Sequence, residues 1–339
     1  MEYPFQLSVL IPCYNVENHL DLSLWCLEQQ WDDDKSMEII LVNDGSTDGT
    51  LEKLQSFCRK HPNNTVLINK NENGGVALAR NEALKVARGK WITFFDPDDA
   101  LSSGAYQALY NDYLDDSVDI LSFDTNFVLN ADILPLPHYK GQIEWEGNSK
   151  EFFKKYRTSV VWTFIYRHEL LNQLNVSFPN LSILEGELFN MDVFLNDEIQ
   201  VRRVDCKPYY YKSRPSSLSS ISRSRHDSRM IDDIMTVLET MEQKKQIQGN
   251  EQLANEISRK QSMIARRLVP IFIRSKETDK DSIGRIKQQL VQWGAYPYKV
   301  LKGGMKDQFY GLLFRSPGLL VALRPLLVKF LKYYNDTFI

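Results

Sequence analysis

Residues 38–50 read EIILVNDGSTDGT, and this stretch decides the fold. Its first half, residues 38–43, reads as a buried strand around four consecutive apolar residues, 39–42, stopped by Asp44-Gly45, a turn-forming pair. Ser46 then opens a helix, and within residues 50–57 Leu51, Leu54 and Phe57 share one stripe. A buried strand that passes through a polar turn into an amphipathic helix is half of a βαβ unit. The neighbours repeat it. Upstream, residues 6–12 (QLSVLIP) read as a strand and 16–30 as a helix. Downstream come a strand at 65–69, a helix at 75–87, a strand at 90–95, a helix at 102–113 and a fifth strand at 119–127. The expected fold class is α/β, with a mainly parallel sheet flanked by helices.

The rhythm changes after residue 130. A strand end and a capped helix are expected over 145–156, a strand at 160–166 and a helix at 167–174. A loop around Glu185-Gly186 leads to a helix over 187–196, and strands follow at 200–204 and 208–211. Beyond Arg223 the pattern is helical, over 230–246, 251–274 and 283–293. The Ser/Arg-rich stretch SSISRSRHDS (219–228) marks the boundary. Two domains are therefore expected, 1–222 and 223–339.

Composition narrows the function. The 339 residues carry a net charge of −3, with 43% hydrophobic and 25% charged residues, which excludes a fibrous or wholly disordered chain. The charge is split: residues 1–222 hold 20 basic and 32 acidic residues, residues 223–339 hold 21 and 12. An acidic front half suits a site that gathers cations, and a basic back half suits an anionic partner. The four cysteines have no zinc-ligand spacing, and the five histidines form no HExxH, so a His- or Cys-built metal site is not expected. Residues 1–8 lack the features of a signal peptide, and no apolar run reaches the roughly 18 residues of a spanning helix. The expected location is the cytoplasm, with the inner face of the membrane as an option.

Ligands of open α/β sheets bind at the carboxyl ends of the strands. Four polar clusters fall there: Pro12-Cys13-Tyr14-Asn15-Val16-Glu17, Asn43 through Asp48, Asn73 through Asn81, and Asp96-Pro97-Asp98-Asp99. Any one of them could be a plain turn. Together they suit a nucleoside diphosphate. Asp44 can accept the imide N–H of uracil. Gly74 and Gly75 allow close backbone approach at a helix N-terminus, and Arg80 offers a forked donor. Asp96 and Asp98 can divide their work between a ribose hydroxyl and a divalent ion, because magnesium or manganese needs few carboxylates beside phosphate oxygens. No GxGxxG follows the first strand, so a dinucleotide site is disfavoured.

IPCYNVE (11–17), VNDGSTDGT (42–50), NGGVALARNEAL (73–84) and FFDPDD (94–99) resemble, in order and spacing, the signature of family 2 glycosyltransferases of the glycosyltransferase-A fold. The likeness covers residues 5–220. It implies a Rossmann-like catalytic domain and an inverting, metal-dependent transfer of a hexose from a nucleotide sugar. It further implies that Asp44 reads the base, Asp96 faces the ribose and Asp98, closing the D-x-D motif, binds Mn2+ or Mg2+. Residues 162–167 (WTFIYR) resemble the acceptor-side W-x-x-x-Y-R strand. The resemblance also implies a Glu-Asp pair at a helix start, its second acid being the general base. Within LEGELFNMDVF (184–194) the pair aligns with Met191-Asp192, which makes Asp192 the expected base and Glu185 and Glu187 the alternatives. YYYKSRPSSLS (209–219) resembles the ending Y-x-x-R-x-x-S-x-S, a loop that could fold over the diphosphate with Arg214 as cation and Ser217 or Ser219 as donors.

The expected function is sugar transfer, from a UDP-sugar in the first instance, to a glycan or lipid-linked acceptor in surface polysaccharide synthesis. Nucleic acid is not an expected partner. The alternative is a non-catalytic module that binds sugar nucleotides. The tail, residues 309–334, has four basic and no acidic residues among its apolar ones, with Pro317 and Pro325 placed to open two short helices. Such a segment either lies on an anionic membrane surface or packs on protein.

Overall fold

The computed structural model describes residues 3–31, 36–129, 141–156, 158–213, 228–275, 278–296 and 311–337. The chain forms two compact units, residues 1–215 and 216–339. The expected boundary at 222 falls outside the described residues, and so do Arg214, Ser217 and Ser219.

In the first unit an eight-stranded sheet has the order β3-β2-β1-β4-β9-β6-β10-β8. Its parallel half consists of β1 (Phe5–Cys13), β2 (Met37–Asp44), β3 (Thr65–Lys70) and β4 (Gly89–Phe94). Every residue of β2 is buried, as its continuous apolar run requires of a central parallel strand. One face carries Leu7, Val9, Ile11, Met37, Ile39 and Trp91 against α1 (Leu20–Glu28) and α2 (Thr50–Lys60). Behind the other face α3 (Val76–Val86) packs on β1 and β2 with its small residues Ala77, Ala79 and Ala83. The expected α/β fold with a mainly parallel sheet is present.

The second half of this sheet is mixed. β9 (Phe164–Arg167) lies antiparallel between β4 and β6 (Ile120–Ser122), and β10 (Gln200–Val204) runs parallel to β6 and antiparallel to β8 (Ile143–Asn148). The helices of this part are α4 (Ala105–Tyr113), α5 (Ser149–Lys155), α6 (His168–Leu174) and α7 (Glu185–Phe194). The Asn148 side chain accepts from Glu151 N at 3.0 Å, which explains where α5 begins.

Residues 119–127 were expected as one strand and form two. After β6 the Phe123 N–H turns to Thr163 O and the Asp124 N–H to Cys206 O, and β7 (Thr125–Leu129) joins a second sheet of order β5-β11-β7. In that sheet β11 (Tyr209–Ser213) pairs with the two-residue β5 (Ala100–Leu101) and with β7. Residue pattern reports that a stretch is extended, not which neighbour it pairs with.

The second unit is helical among its described residues. It holds α8 (Ser228–Ile247), α9 (Glu251–Ala265), α10 (Leu268–Arg274), α11 (Lys280–Gln292) and α12 (Pro317–Thr337). The single helix expected over 251–274 breaks after Ala265. Pro270 has no N–H to give to a carbonyl four residues back, but it fits the first turn of a new helix. Lys245 joins three elements here, pairing with Glu242 and donating to Gln261 Oε1 at 3.4 Å and Trp293 O at 2.8 Å. The tail also departs from expectation: α12 is one helix with Pro325 inside it. Arg324 donates to Thr278 O at 2.7 Å, and Leu320 and Leu327 are buried, so tertiary contacts hold the helix together across the proline.

Candidate functional site

The four polar clusters meet at the carboxyl edge of the parallel strands, and two of their loops are stitched together. The Asn15 N–H donates to Ser46 Oγ at 3.1 Å, and Asn15 Oδ1 accepts from Thr47 N at 2.8 Å. This clasp holds Asn15 at φ 50°, a left-handed conformation that asparagine tolerates better than most residues. Glu17 Oε2 accepts from Gly49 N at 2.9 Å at the start of α2. Asn15 and Glu17 thus each give one side-chain oxygen to the neighbouring loop. Pro12 is buried at the end of β1, and Tyr14, half-buried, follows it.

Asp44 closes β2 with its carboxylate almost fully buried. Oδ1 accepts from Gly74 N at 3.0 Å and Oδ2 from Gly75 N at 2.8 Å, while Lys70, its register partner on β3, pairs with Oδ1. The N–H groups of the two glycines point at Asp44, and Gly75 directly precedes α3, where a helix start was expected. Gly75 has φ 91°, which a side chain would strain.

Arg80 was expected to offer its fork to a phosphate or base. In the structure two acids hold the fork. The guanidinium is buried, with Nη1 on Glu185 Oε1 at 2.6 Å and Nη2 on Asp96 Oδ1 at 3.0 Å. It lies 5.4 Å from the Phe178 ring centroid and 6.0 Å from that of Phe94. Burial works against its charge, but Asp96 and Glu185 outweigh burial and hold it above the ordinary arginine range. Arg80 therefore fixes the positions of two acids.

Three carboxylates crowd the turn after β4. Asp99 is buried and accepts from Tyr209 Oη at 2.6 Å and from Lys212 N at 2.9 Å. Burial first, then the charges of Asp98 and Asp96, push its carboxyl well above the usual range. Burial and the same two acids raise the Cys13 thiol at the end of β1, so charge accumulates where β1 and β4 end. Asp96 and Asp98 are half-buried. Among the described residues no group of three His, Cys, Asp or Glu side chains could cage an ion alone. One or two hard oxygen donors in a field of excess negative charge fit Mg2+ or Mn2+, which takes its remaining ligands from water and phosphate.

α7 begins two residues earlier than expected, which changes the reading of the acids. Glu185 stands in its first turn, against Arg80, and Gly186 follows it. The helix start thus carries Glu-Gly where the resemblance implies Glu-Asp. Asp192 is half-buried seven residues further on, about 10 Å along the axis at 1.5 Å per residue. Glu187 is buried. The structure brings Glu185 to the strand-end acids and places Asp192 two turns away. Sequence reading had passed over Lys70 and Tyr209, which sit in a strand and in a tyrosine run, and nothing in their spacing sets them apart.

Residues 8–175 match the sequence model of glycosyl transferase family 2. The uncharacterized glycosyltransferase EpsJ of Bacillus subtilis is 30% identical over 227 residues, covering 63% of each chain. A poly(ribitol-phosphate) beta-glucosyltransferase of Bacillus spizizenii is 28% identical over 229 residues, or 64% of this chain and 34% of the relative. The chain thus spans less than two thirds of the length of either. In fold it is similar to residues 1–349 of S. aureus TarS solved with UDP-GlcNAc, with a TM-score of 0.55, 21% identity, and 95% and 86% of the two chains covered.

Proposed function

Through residues 8–175 this chain belongs to glycosyl transferase family 2, and from that premise we propose that it moves a sugar from a nucleotide-sugar donor to a glycan or lipid-linked acceptor, with inversion. The carrying observation is the line of acids at the strand ends, Asp44 at β2, then Asp96 and Glu185 tied through Arg80, with Asp98 two residues after Asp96. Asp44 and Asp96 lie two strands apart, about 10 Å, a span that suits a nucleoside. UDP is the proposed carrier; the TarS structure supports this reading because it holds UDP-GlcNAc in a similar fold. Relatives named for minor teichoic acid biosynthesis support a role in surface polysaccharide assembly.

Asp98, with Asp96 beside it, would hold Mn2+ or Mg2+, and the bound ion offsets charge on the leaving diphosphate. Glu185, its side chain fixed by Arg80, is the proposed acceptor of the proton from the attacking hydroxyl. This assignment replaces Asp192, because the chemistry gathers at the helix start. A second reading, a binding module without transfer, draws support from Gly186 in the place of an acid. Thermal shift against a panel of nucleotide sugars with manganese tests the donor. A ligand at a hundred times its Kd stabilises by about 2.7 kcal/mol, so a UDP-sugar should stand out. Absence of a shift with every nucleotide would defeat both readings, and binding without transfer or hydrolysis would favour the second.

None of the described helices is long and apolar enough to cross a membrane. α12 nevertheless presents Leu319, Leu326 and Val328 to solvent beside Lys329, with Leu312 and Arg315 exposed just before it. Apolar side chains among cations suit the surface of an anionic bilayer, where a lipid-linked acceptor would be met. The full chain should float with phosphatidylglycerol liposomes at low salt, and Leu319→Asp/Leu326→Asp should not. Equal flotation of the two, or none by the wild type, would rule this contact out.

A further inference from the structure

The start of α7 is not set by α7 itself. Leu184, the residue before Glu185, stands at φ 64° and ψ 14°, and its side chain supplies no cap. A leucine in the left-handed region is strained, and such a conformation persists only where its surroundings impose it. Two neighbours on α3 impose it here. Arg80 holds the Glu185 carboxylate, and Asn81, next in the chain, holds the segment that leads into the helix. Asn81 Nδ2 donates to Phe178 O at 2.8 Å, and Asn81 Oδ1 accepts from Phe178 N at 2.8 Å.

A carboxamide carries a donor and an acceptor side by side, so it satisfies both backbone groups of one residue as a neighbouring strand would. Aspartate, of the same size, lacks the donor, and leucine lacks both. Phe178 needs this partner: it lies between α6 and α7, and Pro179 after it disfavours a helical turn there. The grip then passes to α7 through the ring. Phe178 is buried and lies parallel to Phe189, with centroids 4.1 Å apart, and the Arg80 guanidinium is 5.4 Å from its centroid. Phe189 stands one helical turn after Glu185, on the same face of α7. α3 therefore meets Asp44 at its start, through the Gly75 N–H, and the approach to Glu185 at its second turn. We propose that Asn81 is a positioning residue for the proton acceptor: by fixing Phe178 it fixes the strained start of α7, and with it Glu185, against the strand-end acids. This rests on the reading above in which Glu185 takes the proton.

Asn81→Ala and Asn81→Asp in the full chain test it, the second keeping the volume and the acceptor while losing the donor. Turnover is read as UDP released from the UDP-sugar that gives the largest thermal shift, with water as the acceptor. Both variants should lower kcat about 10- to 100-fold, because a small displacement of a positioned group costs that much, while KM for the UDP-sugar stays within about twofold. Amide exchange over residues 176–184 should be faster in both. Added to Glu185→Gln, either substitution should cost less than about threefold more, since Asn81 acts through a group already disabled. If Asn81→Ala does not fold, Asn81→Asp carries the test. Unchanged exchange, wild-type kcat, or a full further loss on top of Glu185→Gln would overturn the proposal. Wild-type turnover in Glu185→Gln would instead defeat the assignment of the proton acceptor, and exchange over 176–184 would then judge the Asn81 clasp separately.

Discussion

Asp98→Ala is expected to lower sugar transfer by roughly 10³-fold while leaving the melting temperature unchanged or slightly raised. The loss follows from removing a hard oxygen donor where charge develops on the departing diphosphate, a place where a single stabilising group is worth about 10²–10³ and a metal ion several kcal/mol. The stability half follows from the crowding of Asp96, Asp98 and Asp99, in which burial first, and then the charges of Asp98 and Asp96, push the Asp99 carboxyl well above its usual range. Taking one like charge away should relieve its neighbours. The measurements are turnover with and without excess EDTA, and a melting curve. Wild-type transfer that persists undiminished in EDTA would be incompatible with this assignment.

Glu185→Gln should cut turnover by about 10²-fold or more, the amount a positioned base contributes. The amide still accepts a hydrogen bond from Arg80 and keeps the shape of the α7 start, but it cannot take a proton. Donor binding should hold, because Arg80 keeps Asp96 and Asp44 lies elsewhere. Asp192→Asn should stay within about threefold of wild type, since its side chain lies two turns along the helix. The readouts are kcat for each variant and the thermal shift with a UDP-sugar. A dead Asp192→Asn beside an active Glu185→Gln would return the base to the position the aligned motif suggests.

Much of this was legible in the sequence because strands and helices impose periods of their own. EIILVN could only be a strand buried on both faces, and it is β2, with every residue buried. The D-G, N-G-G and D-P-D-D groups had to be turns, and β-α order brings such turns to one edge of a parallel sheet. Asp44, Arg80, Asp96 and Asp98 could therefore be expected near one edge of the sheet from the sequence. Their partners were not. Arg80 read as a hand held out to a phosphate, yet it is closed on Glu185, 105 residues away in the chain. Gly74 and Gly75 read as a point of close backbone approach at a helix N-terminus, and their N–H groups meet the Asp44 carboxylate.

By itself, then, the sequence determined the α/β layer and the edge where the polar clusters gather, because these depend on residues a few positions apart. Tertiary structure alone decided which acid stands beside Arg80, where α7 starts, why α12 continues through Pro325, and that Asn81 clasps Phe178, whose ring lies on Phe189. Each of these turns on contacts between segments distant in the chain. Buried charges must be paired and flat rings must find faces, so the partners are chosen by the packed whole, and no local period encodes that choice.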